Sequence, residues 1–119
     1  IDFSHPPAIF LQIAAGLRET SVGINFDTAN ILAAGYADTI EILDAVFDKV
    51  LTIHVAETAT FGQLQPVALG TGIVPFEEIF RYLKSKNFEG WGCLEVWANK
   101  GKSGIQSSLT FARQTWADA

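Results

Sequence analysis

Val22-Gly23-Ile24-Asn25-Phe26-Asp27 is short, β-branched and aromatic, and it stops at polar residues, as a buried strand does. Beyond a loop containing Gly35, Asp38 and Thr39 each offer a cap for a helix whose apolar face is Ile40, Ile42, Leu43, Val46 and Phe47. Asp48-Lys49 then turn the chain into Val50-Leu51-Thr52-Ile53-His54-Val55, a second strand of the same kind. No hairpin signal separates the two. The unit reads as strand, crossover, strand, and right-handed crossovers set such strands side by side and parallel in a sheet covered by helices.

The pattern extends in both directions. Upstream, Pro6-Pro7 followed by Ile9, Phe10, Ile13, Ala14 and Leu17 predicts a helix, weakened by Gly16 and ended by Arg18-Glu19-Thr20. Downstream, Glu57 to Val74 is Gly-containing and without periodicity, and structureless stretches above ~12 residues are usually functional or disordered. Phe76, Ile79, Phe80, Tyr82 and Leu83 mark a third helix that stops near Asn87, and Trp91-Gly92-Cys93-Leu94-Glu95-Val96-Trp97 reads as the third strand. A last helix, about 105–116, carries Leu109, Ala112, Arg113 and Trp116. Two α/β architectures fit: a doubly wound open sheet, or part of a parallel (β/α)8 barrel. A whole barrel needs ~250 residues, so 119 residues in a single domain would be about half of one.

Composition narrows the function classes. With 49% hydrophobic residues, 18% charged and a mean hydropathy of +0.24, the chain collapses rather than staying disordered. Cys93 is alone, which excludes an internal disulfide framework. No apolar run reaches the ~20 residues of a membrane span, and Ile1 to Pro7 lacks the basic start and apolar stretch of a secretion signal. A cytoplasmic protein without a membrane partner is expected. A net charge of −5 disfavours nucleic acid, and Lys84, Lys86, Lys100 and Lys102 read as an ordinary solvated face. The start at Ile1 and the oily composition suggest a piece of something longer.

Each strand carries a polar group near its end. Asp27 closes the first, His54 nearly closes the second and Glu95 sits late in the third, and in a parallel barrel all such ends converge on one mouth. Asp, His and Glu make a mixed oxygen and nitrogen set suited to Mn²⁺, Mg²⁺, Co²⁺ or Zn²⁺. Taken singly, each has a plainer reading. An Asp after a strand is commonly the cap or turn residue of the next loop, and His54 between Ile53 and Val55 fits a satisfied core histidine. Glu95 between Leu94 and Val96 is the least ordinary, because a carboxylate in an apolar strand must be paired, protonated or metal-bound.

Five short motifs stand in a telling order: Val22 to Asn30 with Ala34-Gly35 and Asp38; Ile53-His54-Val55-Ala56-Glu57-Thr58; Leu69-Gly70-Thr71-Gly72; Pro75-Phe76; and Gly90-Trp91 with Leu94-Glu95-Val96. Together they resemble the sugar phosphate isomerase/epimerase family with the xylose isomerase-like TIM barrel. The resemblance runs from about residue 7 to 118 and covers the family's C-terminal half, strands six to eight with their flanking helices.

What that resemblance implies is a divalent-metal-dependent sugar isomerase or epimerase, with Mn²⁺ as the favoured ion and a small sugar or polyol as substrate. Family epimerases hold the metal with Glu, Asp, His and Glu at the ends of strands five to eight; Asp27, His54 and Glu95 match the last three, and the first Glu would precede Ile1. Glu95 would be both ligand and catalytic base. Asn30, Glu57 and Trp97 are the expected substrate contacts, Asn30 standing where the family often has His, and Trp97 sharing a strand face with Glu95. His5, Cys93 and the Gly70–Gly72 turn have plainer readings: a loop residue, an inert packed thiol and a turn needing positive φ rather than a phosphate cradle. Where a related DNA-repair endonuclease would place an Asp and a His of its zinc site, this chain has Leu64 and Pro66; Thr60 and Phe61 stand where some ketose epimerases carry Arg. Three alternatives accompany the leading reading: a dehydratase of keto-polyols or dehydroshikimate type, an abasic-DNA phosphodiesterase, and a non-catalytic half-barrel subunit. A half-barrel also implies a partner, either the N-terminal half or a second copy, to cover an inward row that includes Val50, Trp91 and Cys93.

Overall fold

The computed structural model describes residues 7–96 and 101–119. Its elements are α1 (Pro7–Gly16), β1 (Ile24–Asp27), α2 (Thr28–Ala33), α3 (Thr39–Val46), a 3-10 turn (Phe47–Lys49), β2 (Val50–Val55), β3 (Thr58–Thr60), β4 (Gln63–Pro66), α4 (Phe76–Ser85), β5 (Trp91–Leu94) and α5 (Gly101–Asp118). β1, β2 and β5 form one parallel sheet in that order, Asp27 beside His54 and His54 beside Cys93.

Alternation along each strand divides the sheet into two unlike faces. Ile24, Phe26, Ile53 and Val55 point to one side and join Phe10, Ile31, Leu43, Val46, Ile79, Phe80 and Leu83 from the helices in a single core. Leu43 and Ile79 are wholly buried there, and each such side chain stabilises the fold by roughly 1.5–3 kcal/mol relative to exposure. Asn25, Thr52, Trp91 and Cys93 point to the other side. Among the described residues helices cover only the first face, and Trp91 on the second is 81% exposed. A doubly wound sheet would carry helices on both faces; a barrel wall carries them on one.

Several local expectations are revised. The loop from Glu57 is not structureless: β3 and β4 make an antiparallel hairpin, with Thr58 Oγ1 accepting from Gln65 N at 2.9 Å and donating to Gln63 O at 3.2 Å. Gly62 N donates to Leu32 O at 3.0 Å, pinning the hairpin tip on α2. α2 itself, six residues long, begins directly at Asp27 and is too short to show a periodic face in sequence. Asp38, not Thr39, caps α3, its Oδ1 accepting from Glu41 N at 2.9 Å. Val50 leaves the inward row, because the register shifts between Ile24 and Asn25: Ile24 pairs with Val50 but Asn25 with Thr52. The extra residue, Leu51, is 61% exposed, and Val50 turns into the core. β5 ends at Leu94, α5 begins at Gly101, and Trp97 and His5 lie outside the described residues.

Candidate metal centre

Three neighbouring parallel strands deliver one side chain each to the same end of the sheet. Asp27 and His54 are register partners at the ends of β1 and β2, and Glu95 continues the β5 register just past its end, its N donating to Val55 O at 3.1 Å. His54 Nδ1 lies 2.6 Å from Glu95 Oε2 and 3.6 Å from Asp27 Oδ2. One ligand atom from each of the three lies within 4.8 Å of the other two.

The cap reading of Asp27 does not use up its carboxylate. Its Oδ1 accepts from Ala29 N at 2.9 Å and Asn30 N at 2.7 Å, capping α2, while Oδ2 faces His54. The cap fixes the carboxylate's direction. Burial raises the Asp27 pKa above its ordinary value; the two amide bonds act against this, the Glu95 charge raises it further and the His54 ring lowers it. A buried carboxylate beside a second carboxylate is the setting that a bound cation relieves, and the donor set of two carboxylates and an imidazole suits a divalent ion.

A small cavity of about 50 Å³ lies against this cluster, walled by Asp27, Asn30, Glu57, Leu64, Pro66 and Glu95. Asn30 thus lines the cavity beside Asp27 and Glu95. Leu64 and Pro66, on β4, present apolar walls where an endonuclease-like site would need ligands. A roomier apolar cavity of about 330 Å³ lies on the opposite side of the sheet, between Ile53 and Val55 and the helical residues Phe80, Leu83 and Trp116. It is lined by none of Asp27, His54 and Glu95.

Glu57 is spent differently from its neighbours. Its carboxylate is buried and accepts from Thr58 N at 3.1 Å, Val74 N at 2.9 Å and Gly70 N at 3.2 Å, with Gly72 N a further donor. The Gly70–Gly72 turn thus cradles a carboxylate of the chain itself. Gly70 has φ +80°, the positive value expected of the turn, and a Cβ on Gly72 would fall 2.5 Å from Glu57 Oε1. Burial raises the Glu57 pKa, and the four backbone donors hold it back.

Cys93 departs from expectation. It is exposed on the inward face rather than packed as an inert thiol, since no strand of the described residues stands opposite it. Of the four lysines read as a solvated face, Lys84 Nζ reaches Ala119 O at 3.2 Å, Lys86 Nζ reaches Asp44 at 3.2 Å, Lys102 is exposed and Lys100 lies outside the described residues. Among the described residues no helix is long and apolar enough to cross a membrane.

The sequence profile of the xylose isomerase-like TIM barrel family matches residues 4–115. A protein of Escherichia coli (strain K12), provisionally named L-ribulose-5-phosphate 3-epimerase SgbU, is 30% identical over 98 residues, which cover 78% of this chain and 33% of that protein. Among solved structures, the xylose isomerase domain protein from Planctomyces limnophilus superposes with a TM-score of 0.76 at 26% identity, covering 98% of this chain and 46% of that one. The chain thus spans one third to about half of the length of these relatives.

Proposed function

Because the chain belongs to the xylose isomerase-like TIM barrel family, we propose that it forms the C-terminal part of a divalent-metal-dependent isomerase or epimerase of a small sugar or polyol. In this reading β1, β2 and β5 are strands six, seven and eight of the barrel. The observation that carries it is the convergence of Asp27, His54 and Glu95 at the carboxyl end of one parallel sheet. These three residues would hold the metal, with Mn²⁺ the favoured ion, and a further Glu from strand five would complete the shell. The partial likeness to an epimerase of a phosphorylated ketose supports the same reaction class.

A divalent ion bound there supplies Lewis acidity to a substrate carbonyl and its neighbouring hydroxyl, which makes the adjacent carbon acidic enough for a carboxylate to deprotonate. The chain's own residues divide the remaining work. Asp27, with its side chain 9% exposed and one oxygen tied to α2, is the fixed ligand. Glu95, with its side chain 28% exposed and placed beyond the strand end, is open enough to take a proton from the substrate carbon. Asn30 is a polar contact for the sugar, and Leu64 and Pro66 shield that edge of the site from water. Trp97 is retained as a candidate pocket wall.

Electron paramagnetic resonance of free Mn²⁺ during titration of the chain tests the proposal. Saturable binding that His54→Ala weakens by at least tenfold is expected, and binding indifferent to Asp27, His54 and Glu95 would refute it.

A further inference from the structure

β1 and β2 stop pairing at Asp27 and His54, because β1 turns directly into α2. Beyond that point the ladder offers no β1 partner to Ala56. The Thr28 hydroxyl takes its place: Oγ1 donates to Ala56 O at 2.6 Å, accepts from Ala56 N at 3.0 Å, and lies 3.2 Å from His54 O. Thr28 is fully buried. A hydroxyl has one proton to give, so the shorter contact is the donated bond and the His54 carbonyl is a secondary acceptor.

The bond joins two short peptide segments that each carry a ligand. Asp27 immediately precedes Thr28, and His54 lies two residues before Ala56. Asp27 Oδ1 is meanwhile tied forward to Ala29 N and Asn30 N, so the first turn of α2, the end of β1 and the end of β2 move as one body. We propose that Thr28 is a positioning residue of the metal centre, its hydroxyl fixing the separation of Asp27 from His54. This rests on the metal-centre reading above.

A Thr at this place also fills core space with its methyl, and isosteric substitution separates the two contributions. Thr28→Val keeps the shape and deletes the hydroxyl; Thr28→Ser keeps the hydroxyl and deletes the methyl. Mn²⁺ affinity of the full chain is measured at a temperature well below every variant's unfolding midpoint, so that lost stability alone leaves it unchanged. T28V is expected to bind at least about tenfold more weakly, the loss typical of groups that orient metal ligands, and T28S within about twofold of the unsubstituted chain. Unchanged affinity in T28V, or equal losses in T28V and T28S, would overturn the proposal. Should T28V fail to fold, hydrogen exchange in the unsubstituted chain decides instead. The Ala56 amide is expected to exchange more slowly when Mg²⁺ saturates the site, and an unchanged rate would overturn the role given to Thr28. If the unsubstituted chain binds no metal at all, the metal-centre reading itself falls, a result visible before any substitution is made.

Discussion

Glu95 Oε2 stands 2.6 Å from His54 Nδ1, joining the ends of two adjacent parallel strands by a short side-chain contact. At that distance from a carboxylate oxygen Nδ1 is the hydrogen-bond donor, so a metal ion taking Nδ1 as ligand must displace that proton, which the ring can carry on Nε2 instead. Nitrogen-15 NMR of the His54 ring, with Zn²⁺ as a diamagnetic probe, is therefore expected to show the ring proton on Nε2 once the site is filled. A proton that stays on Nδ1 in the saturated protein would place the ion away from that atom.

Glu95→Gln separates ligand from base. The amide keeps an oxygen for the cation but cannot accept a proton from carbon, so metal binding survives in weakened form. Solvent deuterium incorporation next to the carbonyl, measured in the complete barrel protein across ketopentoses, ketohexoses and their phosphates, is expected to fall by about 10²- to 10⁴-fold, the usual contribution of a general base. Retained exchange would show that Glu95 is not the base.

Glu57 makes stability depend on pH with a definite sign. Its pKa is raised in the fold above the ordinary value of 4.5, so the folded chain holds this proton more tightly than the unfolded one. The contribution is complete below about pH 4.5 and is lost as the pH rises through the raised value. Urea unfolding at steps from pH 4 to 7 is expected to show this slope in the unsubstituted chain and its removal in Glu57→Gln. At neutral pH the same substitution loses roughly 1–3 kcal/mol, because an amide NH₂ is brought against backbone donors. An identical pH slope in both proteins would contradict the raised pKa.

The uncovered face carries its own consequence. β1 and β5 are the outer strands of the sheet, and the face bearing Trp91 and Cys93 is open. Unpaired edges and bare aromatic surface drive association. The isolated chain is expected to associate, with a complementary N-terminal half or with a copy of itself. A compact, stable monomer of 12.9 kDa in sedimentation velocity would contradict this.

The sheet and the convergence of Asp27, His54 and Glu95 at its end were legible in the sequence because each signal is local: a β-branched run, a polar residue at its end, and a helix-length interval to the next. The β3–β4 hairpin was not, since Thr58–Thr60 and Gln63–Pro66 are short and polar and are stabilised by the Thr58 hydroxyl and by docking on α2 rather than by an alternating apolar face. Asp27 was legible as cap or as ligand; that the cap occupies one oxygen and leaves the other facing His54 needed the coordinates of both. The structural part of Glu57 was not legible, because the four backbone donors around its carboxylate come from residues up to 17 positions away, beyond any local pattern. Cys93 read as packed because a strand interior is ordinarily covered on both sides, and here only the helical side is.

Anomalous diffraction from crystals of the chain grown with Mn²⁺ tests the metal centre most directly. A single strong peak within ~2.0–2.5 Å of Asp27 Oδ2, His54 Nδ1 and a Glu95 carboxylate oxygen is expected, with the 2.6 Å contact between His54 and Glu95 opened to admit the ion. A peak elsewhere, or none while that contact persists at saturating Mn²⁺, would contradict it.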